Sequence, residues 1–383
     1  METIRKFLKD RAAESLLRQL RPASFRQAGR VRFGKEEYID LSSNDYLGLS
    51  NHPKLIETAR EAAQTYGVGS SASRLLSGDL EICHQLEEKI AEFKGKEAAL
   101  VFNSGYQANI GIISALYGEG DVIFSDKLNH ASIIDGLLLS GARFFRFKHN
   151  DIKHLEALLA KERAKFKSAL IVTETIFSMD GDRPDLKGLA ALKKKFNCML
   201  MVDEAHATGI FGKNGSGMVE EEGMTESVDL IMGTFGKALG SFGAYLAASG
   251  EIIEYMVNQC RSFIYSTALP PSVIACNLAA IDLIREEPHR RRELLKRADH
   301  FRSALKDKGF TVTGSSQIVP VIVGANHATV KMAEALQEKG YWVLPIRPPT
   351  VPQGEARLRF SLTFDHDGTI LERILYDISK IRI

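Results

Sequence analysis

The sequence has few cysteines, little net charge and no long apolar run, and each shortage removes a class of function. Its four cysteines, Cys83, Cys198, Cys260 and Cys276, are scattered without the paired spacing of a zinc site or a disulfide framework. They are expected to be reduced, mostly buried thiols, with no metal bound. The formal charge is only +2 over 383 residues, too small for a nucleic-acid or membrane surface. Arg290-Arg291-Arg292 is the densest basic cluster and reads as the solvated face of a helix. No stretch approaches the roughly eighteen continuous apolar residues of a membrane helix. The opening, METIRKFLKDRAAESLLRQLR, is a charged amphipathic helix that lacks the apolar centre of a signal peptide. Repeats and single-residue tracts are also missing. What remains is ordinary globular composition, 44% apolar and 26% charged, expected in the cytoplasm with neither nucleic acid nor membrane as partner.

What is present is an alternation of strand-like and helix-like segments. Short apolar runs occur at 98–102, 121–125, 143–147, 169–173, 198–203, 228–232 and 244–249, and helical stretches such as HLEALLAKERAKF and DLKGLAALKKKF separate most of them. Continuous apolar strands alternating with helices predict a mostly parallel sheet covered on both faces, with ligand chemistry beyond the carboxyl ends of the strands. After about residue 272 long charged helices take over, followed by short strands near 319–323 and 357–362. The expected division is an N-terminal helix and arm (1–45), a large domain (46–272) and a smaller α+β domain (273–383).

The strand ends carry the chemistry. Lys237 sits in LIMGTFGKALGSFGAYLAAS among Gly233, Gly236 and Gly240, a segment built for close packing where a surface lysine has no purpose. It is not a phosphate-loop lysine, since Ile231 stands where a glycine is required and Ala238 where a hydroxyl is required. The glycines are expected to let backbone approach a flat ligand, and burial and nearby positive charge are expected to lower the lysine's proton affinity. In VDEAHATGIFG, Asp203 closes a strand with His206 three residues on, a poor metal pair without a third ligand. In NSGYQANIG, the amides of Gly105 and Tyr106 at a helix start form a candidate anion site, with a plain helix capped by Asn103 or Ser104 as the alternative. Pyridoxal phosphate needs a Schiff-base lysine, an acid for its ring nitrogen, an anion site and groups near its phenolic oxygen. Lys237, Asp203 and the Ser-Gly turn supply the first three; His206 and Ser178 are candidates for the last.

The ordered motifs NSGYQANIG, DKLNHASIIDG, ETIFSMDGD, VDEAHATGIFG and GTFGKALGSFGA resemble the α-oxoamine synthases, pyridoxal-phosphate enzymes of the aspartate-aminotransferase fold (fold type I). The resemblance runs from LSSNDYLGLSNHP to GEARLRFSLTFDH. It implies that Lys237 carries the cofactor, that Asp203 pairs with the ring nitrogen and that His130 stacks on the ring. His206 and Ser178 are implied at the phenolic oxygen, with His206 also near the acyl carbonyl. Gly105, Tyr106 and Thr234 are implied at the phosphate, helped by Ser266 or Thr267 from a second subunit of a homodimer. Arg359, assisted by Asn44, is implied as the clamp on an amino-acid carboxylate, where a two-pronged donor meets a planar acceptor. Arg18 and Thr350 match further substrate positions.

LPIRPPTVPQGEARLRF resembles the members that join L-alanine to a pimeloyl thioester, on coenzyme A or a carrier protein, in biotin synthesis. The implied reaction is a decarboxylative condensation in which the Lys237 amine removes the alanine Cα proton and His206 polarises the thioester. Arg18 or Arg347 could meet the distal pimeloyl carboxylate. Two alternatives stand beside this reading: a glycine C-acetyltransferase on the same scaffold, and a non-catalytic protein that senses pyridoxal phosphate. Tyr245 occupies the position, eight beyond the lysine, where aminotransferases carry an arginine, which argues against simple transamination.

Overall fold

The computed structural model describes residues 1–14 and 16–381. The chain forms two compact units. The larger comprises Leu49–Ser178 and Arg183–Arg291; the smaller comprises Met1–Gly48, Met179–Asp182 and the residues from Arg292 onward.

The larger unit is organised by a seven-stranded sheet. Its strands are β1 (Ala98–Phe102), β2 (Val122–Asp126), β3 (Arg143–Phe147), β4 (Ala169–Glu174), β5 (Met199–Asp203), β6 (Leu230–Thr234) and β7 (Ala244–Ala248). Their order is β1-β7-β6-β5-β4-β2-β3. β2 to β6 pair in parallel, while β7 is antiparallel to both β6 and β1. Since β1 and β6 both oppose β7, they point the same way, and the carboxyl ends of β1, β4, β5 and β6 share one edge. Helices cover the faces, so the strands read as apolar runs and not as an alternation. Leu100, Phe102, Ile123, Leu170, Met201 and Leu246 form one buried cluster with Ala108 and Ile112 of α1 (Gly105–Leu116) and with Ile133 and Leu137 of α2 (Ala131–Ser140). Each such side chain contributes about 1.5–3 kcal/mol by leaving water, which makes the sheet a rigid base for the strand-end residues.

The smaller unit holds β8 (Ile318–Gly324) antiparallel to β9 (Ala356–Ser361). A second sheet is built from Phe25–Gln27, Arg30–Phe33, Glu36–Asp40 and Tyr341–Trp342. In it Ile39 pairs in parallel with Tyr341, so the N-terminal arm is knitted to the C-terminal part of the chain. The sequence reading placed the domain boundary at 272, whereas the compact units divide at Arg291. The interval is the helix Pro271–Glu286, which lies against the helices Pro53–Tyr66 and Glu81–Lys94 of the larger unit.

His366 is buried in the smaller unit beside Gly29, where an added Cβ would come within 3.1 Å of its ring. Burial pushes its pKa from 6.5 to about 4; the backbone of Gly29 and Asp40 and the Asp367 carboxylate oppose the shift. Above pH 6.5 the imidazole is neutral in folded and unfolded chains alike. Below it the unfolded chain takes up a proton that the folded chain refuses until about pH 4. Stability therefore falls by about 1.4 kcal/mol per pH unit through that window, roughly 3 kcal/mol in all. Urea unfolding of wild type and His366→Gln at pH 7 and pH 4.5 checks this: the variant should lose distinctly less on acidification.

Candidate active site

The helix α1 starts directly after β1, and its first turn is shaped by two side chains. Ser104 caps it by accepting from the Gln107 N–H (3.2 Å), and the Gln107 carbonyl accepts from the Asn103 N–H (2.9 Å). The helical ladder begins with the Ala108 N–H on the Ser104 carbonyl. The N–H groups of Gly105 and Tyr106 are left as the outward donors of the helix start. Thr234, at the end of β6, lies against this turn: a Cβ on Gly105 would stand 2.8 Å from its methyl. The Thr234 hydroxyl is buried and has no hydrogen-bond partner among the described residues. Two backbone donors and a buried hydroxyl, at the positive end of a helix dipole, have donor chemistry that suits an anion.

Along the same edge, Asp203 at the end of β5 is paired in register with Glu174 at the end of β4. Both are buried, at 5% and 3% exposure. The Asp203 carboxylate accepts from the Ala205 N–H (2.8 Å) and from the Asn109 amide (2.9 Å). Glu174 accepts from the His130 N–H (2.6 Å). Burial, and then the Asp203 charge, push the Glu174 carboxyl well above the usual range, against the opposing pull of the His130 N–H and of Lys237. Glu174 thus holds its proton to higher pH than an ordinary carboxyl does. His130 caps α2. Its imidazole is pushed below the ordinary value, first by burial and also by the Lys237 charge, with Asp203 opposing. Lys237 is half-buried, and its charge acts on both His130 and Glu174. The structure therefore brings Lys237, Asp203 and His130 within electrostatic reach of one another.

His206 is buried in the turn after β5, and Ser178 is half-buried four residues beyond Glu174. Under that turn lies a second lysine. Lys94 is 3% exposed, 2.7 Å from Glu204 and 3.1 Å from the Thr208 hydroxyl, and it also donates to the Ser216 carbonyl. Thr208 in turn bonds the Tyr245 hydroxyl (2.9 Å), whose ring lies 5.5 Å from the Lys94 amine. Ser266 is held by Gln107 (2.8 Å), and the Thr267 carbonyl by Asn103 (2.9 Å).

The glycines around Lys237 require a correction. Gly233 is small because a Cβ would strike the Tyr245 hydroxyl at 2.2 Å. Gly240 has φ +66° and lies under the Leu49–Ser50 backbone, 2.4 Å from where its Cβ would be. Both serve protein packing. Only Gly236 faces outward, its Cβ position meeting nothing closer than 3.7 Å.

The smaller unit gathers a separate set. Arg359 of β9 is buried and donates to the Asn44 carbonyl (3.2 Å), the Tyr46 hydroxyl (3.2 Å) and the Ser361 hydroxyl. Tyr46 donates in turn to Asn44 (3.0 Å). Two residues before Arg359 on β9, Arg357 is a structural residue paired with Asp180 and Glu355. Arg18 donates to Thr350 (3.2 Å), and both line a cavity of about 860 Å³ together with Arg347 and Trp342. Sequence reasoning missed Asn109, Glu174, Lys94 and Tyr46; all but Lys94 lie inside motifs it quoted.

The family pattern of aminotransferase class I and II matches residues 36–374, and the chain belongs to that family. Among its relatives, the 8-amino-7-oxononanoate synthase of Geobacter sulfurreducens is 51% identical over 371 residues, covering 96% of this chain and 95% of its own. A solved 8-amino-7-oxononanoate synthase from Francisella tularensis superimposes with a TM-score of 0.78 at 31% identity, covering 90% of this chain and 97% of that one. A serine palmitoyltransferase from S. paucimobilis, whose structure holds PLP and myriocin, superimposes with a TM-score of 0.92 at 30% identity, over 98% and 96% of the two chains.

Proposed function

We propose that this chain is a pyridoxal-phosphate-dependent acyltransferase. It condenses L-alanine with a pimeloyl thioester, releases carbon dioxide and free thiol, and forms 8-amino-7-oxononanoate for biotin synthesis. One observation carries the reading: a single strand-end edge holds the amide donors of a helix start beside the Thr234 hydroxyl, a buried carboxylate and a half-buried lysine. The near-full-length likeness to relatives that bear this enzyme's name supports it.

The residues fit the cofactor. The orphaned Thr234 hydroxyl and the first amides of α1 have the donor chemistry that a phosphate completes, and Asp203 has the charge that a protonated ring nitrogen requires. When bound, pyridoxal phosphate supplies an electron sink for negative charge at the amino-acid Cα. The protein does the rest. Asp203 keeps a proton on the ring nitrogen. Lys237 takes the alanine Cα proton as a neutral amine. His206 donates a hydrogen bond to the thioester carbonyl oxygen, and Ser178 assists at the phenolic oxygen. Arg359 and Asn44 hold the alanine carboxylate, with Tyr46 fixing both. Arg18, Thr350 and Arg347 serve the acyl substrate; the two arginines repel each other, which lowers the Arg347 pKa beyond the effect of burial alone, and an acyl chain's distal carboxylate would relieve that repulsion. The free thiols Cys83, Cys198, Cys260 and Cys276 accord with the cytoplasm, and among the described residues no helix is long and apolar enough to cross a membrane.

The active form in this reading is a homodimer, with Ser266 and Thr267 reaching the partner's phosphate site. Leu75, Leu76 and Tyr265 are exposed at 50%, 78% and 72%, and the Ser73–Thr267 bridge draws their segments together. Such a patch is apolar enough to seat a second copy. Leu76→Glu is therefore expected to shift the protein to monomer by sedimentation and to weaken pyridoxal-phosphate binding in parallel.

The decisive assay pairs alanine or glycine with pimeloyl or acetyl thioester and scores released thiol and carbon dioxide. Alanine with pimeloyl thioester should be turned over fastest. Preference for glycine with acetyl thioester would instead mark a glycine C-acetyltransferase, and no release with any pair would end the enzymatic reading.

A further inference from the structure

Asn109 lies one turn into α1 and is 1% exposed. Its amide nitrogen stands 2.9 Å from Asp203 Oδ2 and 2.9 Å from Ser132 Oγ. Ser132 Oγ is in turn 2.8 Å from His130 Nδ1, and the Ser132 backbone N–H also points at Nδ1, at 3.3 Å. Counting hydrogens gives this line a direction. An amide nitrogen only donates, and the opposite amide orientation would set its oxygen against a carboxylate, acceptor facing acceptor. Both amide hydrogens are then used, one on Asp203 and one on Ser132. The Ser132 hydroxyl hydrogen is left for His130 Nδ1, which therefore accepts twice, from the hydroxyl and from the backbone. The imidazole proton belongs on Nε2. The amide oxygen of Asn109 has no partner among the described residues, so this buried residue keeps its two donors at the expense of an unsatisfied acceptor.

We propose that Asn109 is a positioning residue that, through one nitrogen, fixes the Asp203 carboxylate and, through Ser132, holds His130 as the neutral Nε2–H tautomer. The Asp203 half rests on the function proposed above; the His130 half does not. The consequence is chemical. Protonating Nδ1 would point its hydrogen at two donors, so the chain resists a cationic His130. A neutral imidazole adds no second positive charge beside a protonated ring nitrogen. The depressed imidazole of His130 agrees with this geometry. The charged and titratable groups around it are Asp203, Lys237 and Asp135, with Glu174 on its backbone N–H and Tyr106 at its ring edge, 6.2 Å between centroids.

The test follows the imidazole of His130 by nitrogen-15 NMR in the apoenzyme, assigned by comparison with His130→Gln, and separately titrates pyridoxal phosphate onto the protein. Wild type should show unprotonated Nδ1 and protonated Nε2 at pH 7.5. Asn109→Leu frees the Ser132 hydroxyl to accept instead, so the imidazole midpoint should rise by about one unit, a tenfold change in its protonation equilibrium. Loss of a charge-assisted bond to Asp203 should weaken pyridoxal-phosphate binding about tenfold or more. Ser132→Ala should raise the midpoint in the same direction with a smaller change in cofactor affinity, because the bond from Asn109 to Asp203 survives. That variant also decides the matter if Asn109→Leu proves unfolded by circular dichroism. A protonated Nδ1 in wild type overturns the proposal outright. So does a midpoint unmoved in both variants. If wild type binds no pyridoxal phosphate, the proposed function fails, while the tautomer measurement still decides the His130 half.

Discussion

Lys237→Ala is expected to lower turnover of alanine and pimeloyl thioester by at least about ten-thousandfold while leaving the fold intact. A positioned proton acceptor contributes roughly 10²–10⁴ in rate, and in the proposed function the same amine is also the covalent anchor, so its loss would remove two functions at once. Structural damage should be slight. Lys237 is half-buried, and the local turn is held by its backbone, with the Gly240 N–H on the Lys237 carbonyl at 2.9 Å. Ala238, Leu239 and Phe235 supply the buried anchors on either side. Lys237→Arg keeps the positive charge without a neutral amine at working pH and should be nearly as inactive. Thiol release, read beside thermal unfolding of each variant, separates chemistry from stability. An alanine variant retaining more than about one per cent of wild-type rate would contradict both the acyltransfer role and the placement of the lysine beside Asp203, since acid–base assistance alone exceeds that margin.

The sheet was legible because most of its strands are buried on both faces. The apolar runs at 98–102 and 143–147 coincide with β1 and β3, and those ending near 173 and 203 end within a residue of β4 and β5. Direction was not legible. The run that becomes β7 has the same composition as its neighbours, yet it lies antiparallel to both, because strand polarity depends on the length and path of a connection. Strand-end residues with unusual chemistry for their place, Lys237 and Asp203, stood out on their own. The glycines beside Lys237 stood out for the wrong reason, since two of them answer to Tyr245 and to the Leu49–Ser50 backbone. Asn109 and Glu174 were in view but silent: a register that sets Glu174 across from Asp203, and a helix face that aims Asn109 at it, exist only in three dimensions. The pairing of the N-terminal arm with Tyr341 spans about three hundred residues and leaves no local trace.

Lys94→Met is expected to destabilise the larger unit by about 3–5 kcal/mol, the second large effect. Lys94 and Glu204 have side chains exposed by only 1% and 0%. Burial alone would lower the lysine's pKa, but the attraction of Glu204 overrides it and holds the amine above its ordinary value. Removing one member leaves the other charge uncompensated in the interior, which is the origin of the penalty. Glu204 also accepts from the Val219 N–H (2.8 Å), so the neutral partner should be glutamine, which keeps that bond. Lys94→Met combined with Glu204→Gln should recover about 2 kcal/mol of the loss, but not all, since Thr208 and the Ser216 carbonyl still miss their donor. Urea midpoints of the two single variants and the double variant measure this coupling; a Lys94→Met cost below about 1 kcal/mol would mean that the pair is not the buried anchor described above. Turnover should fall as well. Glu204 follows Asp203 directly and Thr208 lies two residues beyond His206, so the pair clamps both ends of the short turn that presents the acid and the imidazole. A lysine that never meets substrate thereby sets how firmly the edge of the sheet holds the residues that do.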